Sequence, residues 1–150
     1  MALYFETRIK YDKMQEDGKI KPTTEAYLVE ALSFTEAEWV ITEKRRPYIS
    51  GDFDVSAVKK TKIAELFRSV GEKWYACKLM FIGIDEKTGQ EKRNANLIYV
   101  QADTFAEAYD NLVKGMSDTM ADYEIASIAE TPILGIYKDD DSYAKLSAMK

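Results

Sequence analysis

Apolar and polar positions alternate from the first strand onward. Phe5, Thr7, Ile9 and Tyr11 fall on one side of an extended chain, and Tyr4, Glu6, Arg8 and Lys10 on the other, because successive strand side chains point to opposite faces. The pattern returns over residues 74–81. There Tyr75, Cys77, Leu79 and Phe81 form the inward set and Trp74, Ala76, Lys78 and Met80 the outward one. Asp17-Gly18 and Thr88-Gly89 follow at matching places, and such dipeptides supply the positive φ that hairpin turns need. The returning strands run to Tyr27-Leu28-Val29 and Leu97-Ile98-Tyr99-Val100, and the polar residues near the turns predict long hairpin tips.

The period then changes to that of a helix. Ser33-Phe34-Thr35-Glu36 and Thr104-Phe105-Ala106-Glu107 both fit a capping box, with a hydroxyl at the N-cap and a carboxylate three residues on. Phe34, Ala37 and Ile41 follow at helical spacing in one segment, and Phe105, Ala108, Leu112 and Met116 in the other. Pro47 and Gly115 close them. Beyond each helix lies further strand, one long or two short: Phe53, Val55 and residues 63–67, broken or bulged near Lys59-Lys60-Thr61, then Tyr123, Ile125 and residues 133–137. Pro132 assigns the last of these to an edge or a break.

These matches make one internal repeat with an offset of 70 to 71 residues. Residues 29–37 return as residues 100–108 with five of nine positions identical, and Thr61 and Ile63 answer to Thr131 and Ile133. A fixed period fixes the architecture. The expected fold is α+β, with two pseudo-symmetric ββαβ(β) repeats at 3–67 and 74–137, each an antiparallel sheet carrying one helix on a face. A copy of ~70 residues buries a marginal core alone, so the two are expected to pack as one body. Residues 138–150, with Asp139-Asp140-Asp141, fall outside the repeat and read as a tail or a partner-binding helix.

Charge separates what the repeat makes alike. The net charge is −5; residues 1–70 carry 12 basic and 12 acidic side chains, and residues 71–150 carry 9 and 14. An acidic balance repels polyphosphate at long range and so disfavours nucleic acid as a partner. No apolar run approaches the ~20 residues that cross a bilayer, and the N-terminus is not patterned as a secretory signal. A single cysteine fits a reducing compartment, so a cytoplasmic protein is expected.

The chain has no histidine, which removes the commonest acid–base group near neutral pH together with imidazole ligation. Its seven glycines form neither a P-loop nor a dinucleotide fingerprint. The expectation is therefore no catalytic residue, no cofactor and no metal. Cys77, in the inward register, reads as a small buried side chain. Asp52/Asp54 and Asp122/Glu124 are same-face strand pairs and read as solvent-facing.

Two candidate surfaces remain. Outward Tyr4, Arg8 and Lys10, with Trp74 and Lys78 in the second copy, combine aromatic and basic groups suited to single-stranded DNA or RNA. Lys44, Arg45 and Arg46 add a basic cluster in the first copy alone, as do Lys59-Lys60-Thr61-Lys62. The outward Trp74, Ala76 and Met80 are less polar, and an apolar strip must be covered by the other copy, another subunit or a partner. Tyr, Trp and Met favour contact surfaces. The first expectation is a non-enzymatic interaction protein, self-associating as a homodimer or binding another protein; the alternative is a nucleic-acid-binding accessory protein.

The first-strand pattern, residues 27–38 (YLVEALSFTEAE) and residues 120–128 (MADYEIASI) resemble an uncharacterised family of about this length from Bacteroidetes bacteria, their mobile elements and their phages. The similarity spans residues 3–137. It implies a phage or mobile-element accessory protein working inside a bacterial or phage-infected cell, and it assigns no functional residue.

Overall fold

A computed structural model describes residues 3–140 and Tyr143. Among the described residues the order is β1 (Tyr4–Met14), β2 (Ile20–Glu30), α1 (Phe34–Arg45), β3 (Phe53–Lys60), β4 (Ile63–Phe67), β5 (Lys73–Ile84), β6 (Glu91–Ala102), α2 (Phe105–Gly115), β7 (Asp122–Glu130) and β8 (Ile133–Lys138). The repeat pattern is present in both halves, and the fold is α+β.

Local signals act as their chemistry requires. Ser33 Oγ accepts the Glu36 N–H at 3.1 Å, and Thr104 Oγ1 accepts that of Glu107 at 3.2 Å. Each glutamate reaches back one residue beyond the cap, to the N–H of Leu32 or Asp103. Gly18 and Gly89 take φ of 83° and 72° at the hairpin turns, where the left-handed backbone costs glycine little. The inward strand residues meet the helices. Phe5, Ile9 and Val29 pack with Ala37, Val40 and Ile41 of α1; Cys77, Leu79 and Val100 pack with Ala108 and Leu112 of α2. Full burial of each large aliphatic side chain contributes roughly 1.5–3 kcal/mol. Phe34 and Phe105 lie at the margins of these cores, Phe34 with its ring edge-on to that of Phe5 at 5.0 Å. They sit at the first helical position, 54% and 59% exposed, because the buried helix face starts one turn later.

The sheets are not purely antiparallel. Their orders are β3-β1-β2-β8 and β4-β6-β5-β7, and in each the last strand of the other copy is added in parallel, β8 beside β2 and β4 beside β6. Reach limits where each last strand can go. β3 occupies one edge of its sheet and the open edge lies beyond β2, three strand spacings or about 14 Å away. From Lys60 to Ile63 the chain has three Cα steps, about 11 Å at full extension. A strand so joined cannot span its own sheet to that far edge, and the strand found there is the one from the other copy.

The folded units therefore differ from the sequence repeats. One unit is Met1–Thr61 with Ile133–Lys150, and the other is Lys62–Pro132. The boundaries 3–67 and 74–137 cut across both. Lys138 ends β8, and Tyr143 lays its ring 5.5 Å from that of Trp39 on α1; the rest of the 138–150 tail lies outside the described residues.

The exchange yields a test by hydrogen exchange. Leu112→Ala empties part of the α2 core at a cost of about 2–5 kcal/mol. Amides of Ile63–Phe67 should then open with unit 2, while those of Ile133–Lys138 stay as protected as in the parent. Protection of 63–67 that instead follows β3 would contradict the exchanged pairing.

Candidate functional site

The densest polar constellation in unit 1 gathers where α1 ends. Arg45 is the last residue of that helix, where the unpaired carbonyls favour a cation. Its side chain is 15% exposed and pairs with Glu25, 14% exposed, at 3.2 Å. A second guanidinium nitrogen donates to Tyr137 Oη at 3.2 Å. Tyr11 and Tyr27 each donate to Glu25 at 2.9 Å. The guanidinium also lies 4.9 Å from the Tyr27 ring centre and 5.0 Å from that of Tyr48, close enough for cation–π attraction. Four elements thus converge: β1, β2, α1 and the exchanged strand β8.

The electrostatics follow from that enclosure. Burial, then the hydrogen bond to Glu25, pushes the Tyr11 phenol up. The same causes, in the same order, push Tyr27 further. Burial works against the Arg45 charge, but Tyr137, Tyr27 and Glu25 outweigh it and hold the guanidinium above its ordinary value. Arg45 Nε is buried without a hydrogen-bond partner. The cluster clamps helix to sheet, and its unpaired donor, Arg45 Nε, is turned away from solvent.

The candidate surface residues fare differently from one another. Tyr4 is half-buried, Arg8 sits 3.6 Å from Glu6, and Lys10 is exposed opposite Asp54 in the register. Lys44 pairs with Asp140 at 3.5 Å and Arg46 with Glu43 at 3.4 Å. Arg45 is a correction. It is not part of a basic surface, because Glu25 and three tyrosines from other elements enclose it. Trp74 is a second correction: its residue is 3% exposed, since a large indole is stabilised most by leaving water, and it offers nothing to stack on. Lys78 is exposed and Met80 half-buried. Arg8 and Lys10 lie on the sheet face opposite the helix, whereas Lys44 and Arg46 lie with the helix, so the structure does not bring the basic groups together. Arg93 holds Glu124 at 3.0 Å, and among the described residues no three Cys, Asp or Glu side chains gather as a metal site would require.

Unit 2 carries two features that charge and alternation did not flag. Phe105, Tyr109 and Val113 form an exposed stripe on α2, readable in retrospect from their i, i+4, i+8 spacing. At the end of the same helix a cleft of about 480 Å³ opens between Phe81, Asn96, Ile98, Met116, Glu65 and Asp118. A larger, mixed-charge cleft of about 530 Å³ in unit 1 lies beside Lys10, Asp12, Asp52 and Asp54.

The sequence profile of a domain of unknown function, DUF4494, matches residues 3–139, and the chain belongs to that family. No curated protein matches the chain. The family description carries no activity, so the site rests on geometry alone.

Two measurements probe the Arg45 cluster. Glu25→Gln leaves the guanidinium buried without a counter-charge and should lower stability by about 3 kcal/mol. Glu25→Asn combined with Arg45→Met reproduces the residues of the second copy, and should cost less than the sum of the single changes by about 2 kcal/mol in a urea-denaturation cycle. Strict additivity would disprove the coupling. The pH dependence has a definite sign. Tyr11 and Tyr27 bind their protons more tightly folded than unfolded, where phenols titrate near 10.0. Their contribution is complete at neutral pH and is lost as pH rises past that value. The urea midpoint should fall from about pH 10 upward, and less steeply in Tyr27→Phe.

Proposed function

We propose that the chain is a non-enzymatic binding protein whose acidic second unit docks a basic, partly apolar segment of another protein along α2. The stripe carries this reading. Phe105, Tyr109 and Val113 are 59%, 48% and 40% exposed along a helix face about 12 Å long. The same positions of α1 hold Phe34, Glu38 and Thr42, so the apolar face belongs to one copy. Asp103, Glu107 and Asp110 flank it, and unit 2 carries 8 basic and 12 acidic side chains. That balance selects a partner of opposite sign.

The non-enzymatic part is supported by the absence of histidine and by the state of Cys77. Burial pushes that thiol up to about 11, which suppresses the thiolate a nucleophile needs. No described helix is long and apolar enough to cross a membrane. The setting we propose is the cytoplasm of a bacterial or phage-infected cell, with an accessory role.

A photo-crosslinking residue in place of Tyr109 tests the proposal in cells that carry the protein. The expected product is a heterologous adduct whose linked segment is basic and apolar, lost when Val113→Gln is added without a change in thermal midpoint. A doubled sedimentation mass of the pure protein, abolished by the same change, would make a second copy the occupant and overturn the proposal. A salt-sensitive shift of single-stranded oligonucleotide, lost in Arg8→Glu with Lys10→Glu, would replace it with the nucleic-acid reading.

A further inference from the structure

The two units place different chemistry at the same address. Aligned through the strand registers, Tyr11, Glu25 and Tyr27 of unit 1 correspond to Phe81, Asn96 and Ile98 of unit 2. Through the helices, Arg45 and Tyr48 correspond to Met116 and Thr119. All five of those unit 2 residues line the cleft at the end of α2. It occupies the place where unit 1 encloses its own guanidinium. The volume has an evident source: Tyr27 becomes isoleucine, Tyr48 becomes threonine and Arg45 becomes methionine. Phe67, the counterpart of Tyr137, packs its ring onto Gly115, 2.5 Å from where a Cβ would stand.

The negative charge has moved rather than vanished. Asn96 lacks the carboxylate of Glu25, but Glu65 and Asp118 line the cleft at positions that hold Gly135 and Pro47 in unit 1. No lysine or arginine lines it. Like its counterpart, it adjoins a helix C-terminus, where unpaired carbonyls add partial negative charge. The floor of Phe81, Ile98 and Met116 suits an alkyl stem, and the carboxylates suit a cationic head.

We propose that this cleft binds the side chain of an arginine or lysine supplied from outside the chain, doing in trans what Arg45 does within unit 1. The inference rests on the docking reading for the identity of the supplier, a basic partner segment on α2. It names the recognition element. Val113 lies one helical turn before Met116, so a segment on the stripe passes the mouth of the cleft.

The test uses the full chain and Nα-acetyl-L-arginine N-methylamide, followed by NMR of the Ile98 and Met116 methyl groups. Saturable shifts are expected with a dissociation constant on the order of millimolar, unmatched by the norleucine analogue, which has the stem without the charge. Glu65→Gln with Asp118→Asn, both conservative and exposed, should weaken binding by about tenfold, in keeping with the loss of a charge-assisted hydrogen bond. Met116→Arg with Asn96→Glu should fill the cleft as unit 1 does and block the probe. Equal shifts from norleucine, or arginine binding that survives loss of both carboxylates, would overturn the inference. Arginine binding without a crosslinked partner at Tyr109 would uphold the cleft and sink the docking reading; a crosslinked partner without arginine binding would do the reverse.

Discussion

The amide and hydroxyl of Thr61 both close on the carbonyl of Tyr4, at 2.9 and 2.8 Å, and those of Thr131 close on Trp74 at the same distances. These doubled hydrogen bonds fix where β3 and β7 let go of their sheets. Two residues later the chain is already a strand again, and the link is too short to reach the far edge of the sheet it left. That far edge is taken by the exchanged strand, β8 in one sheet and β4 in the other. Every sheet is thus completed by the other copy's last strand, which sets the composition of each unit. Tyr137 reaches Arg45 only because β8 was exchanged, and Phe67 reaches α2 only because β4 was.

On this common frame the copies have settled one position in two ways. In unit 1 a largely covered guanidinium is held by a carboxylate, a phenol and two ring faces. Burying such a pair costs several kcal/mol of desolvation per ion, and the surrounding hydrogen bonds must recover it. Unit 2 avoids that cost by replacing the charge with Met116 and the carboxylate with Asn96. An apolar replacement of similar volume would have closed the site. Here the volume fell as well, and carboxylates appeared at the rim, which stability alone does not ask for.

Features set by neighbours in sequence were legible from the chain. Strand alternation, both capping boxes and the glycine turns depend on a few adjacent residues, and duplication made each visible twice. The exchange was not legible, because short apolar strands such as Ile63–Phe67 carry no mark of which sheet or direction they will join. The basic run at residues 44–46 read as surface since charge runs are usually solvated. Only the partners of Arg45, residues 25, 27 and 137 together with Tyr48, cover it. One signal was present: Glu25 lies opposite Ile9 in the register, an inward carboxylate on an apolar face, and such a group requires a cation.

The divergence also bears on where recognition resides. A cluster such as that around Arg45, its guanidinium and carboxylate turned inward onto each other and onto tyrosines, acts as a fastening. The unit freed of that cluster carries the exposed stripe and the acid-rimmed cleft on one helix. The stripe depends on Tyr109 and Val113, whose counterparts Glu38 and Thr42 are polar, and the cleft on Ile98 and Met116, whose counterparts Tyr27 and Arg45 are larger. Duplication let one copy keep the packing devices while the other lost them, and binding capacity sits where the fastening was released.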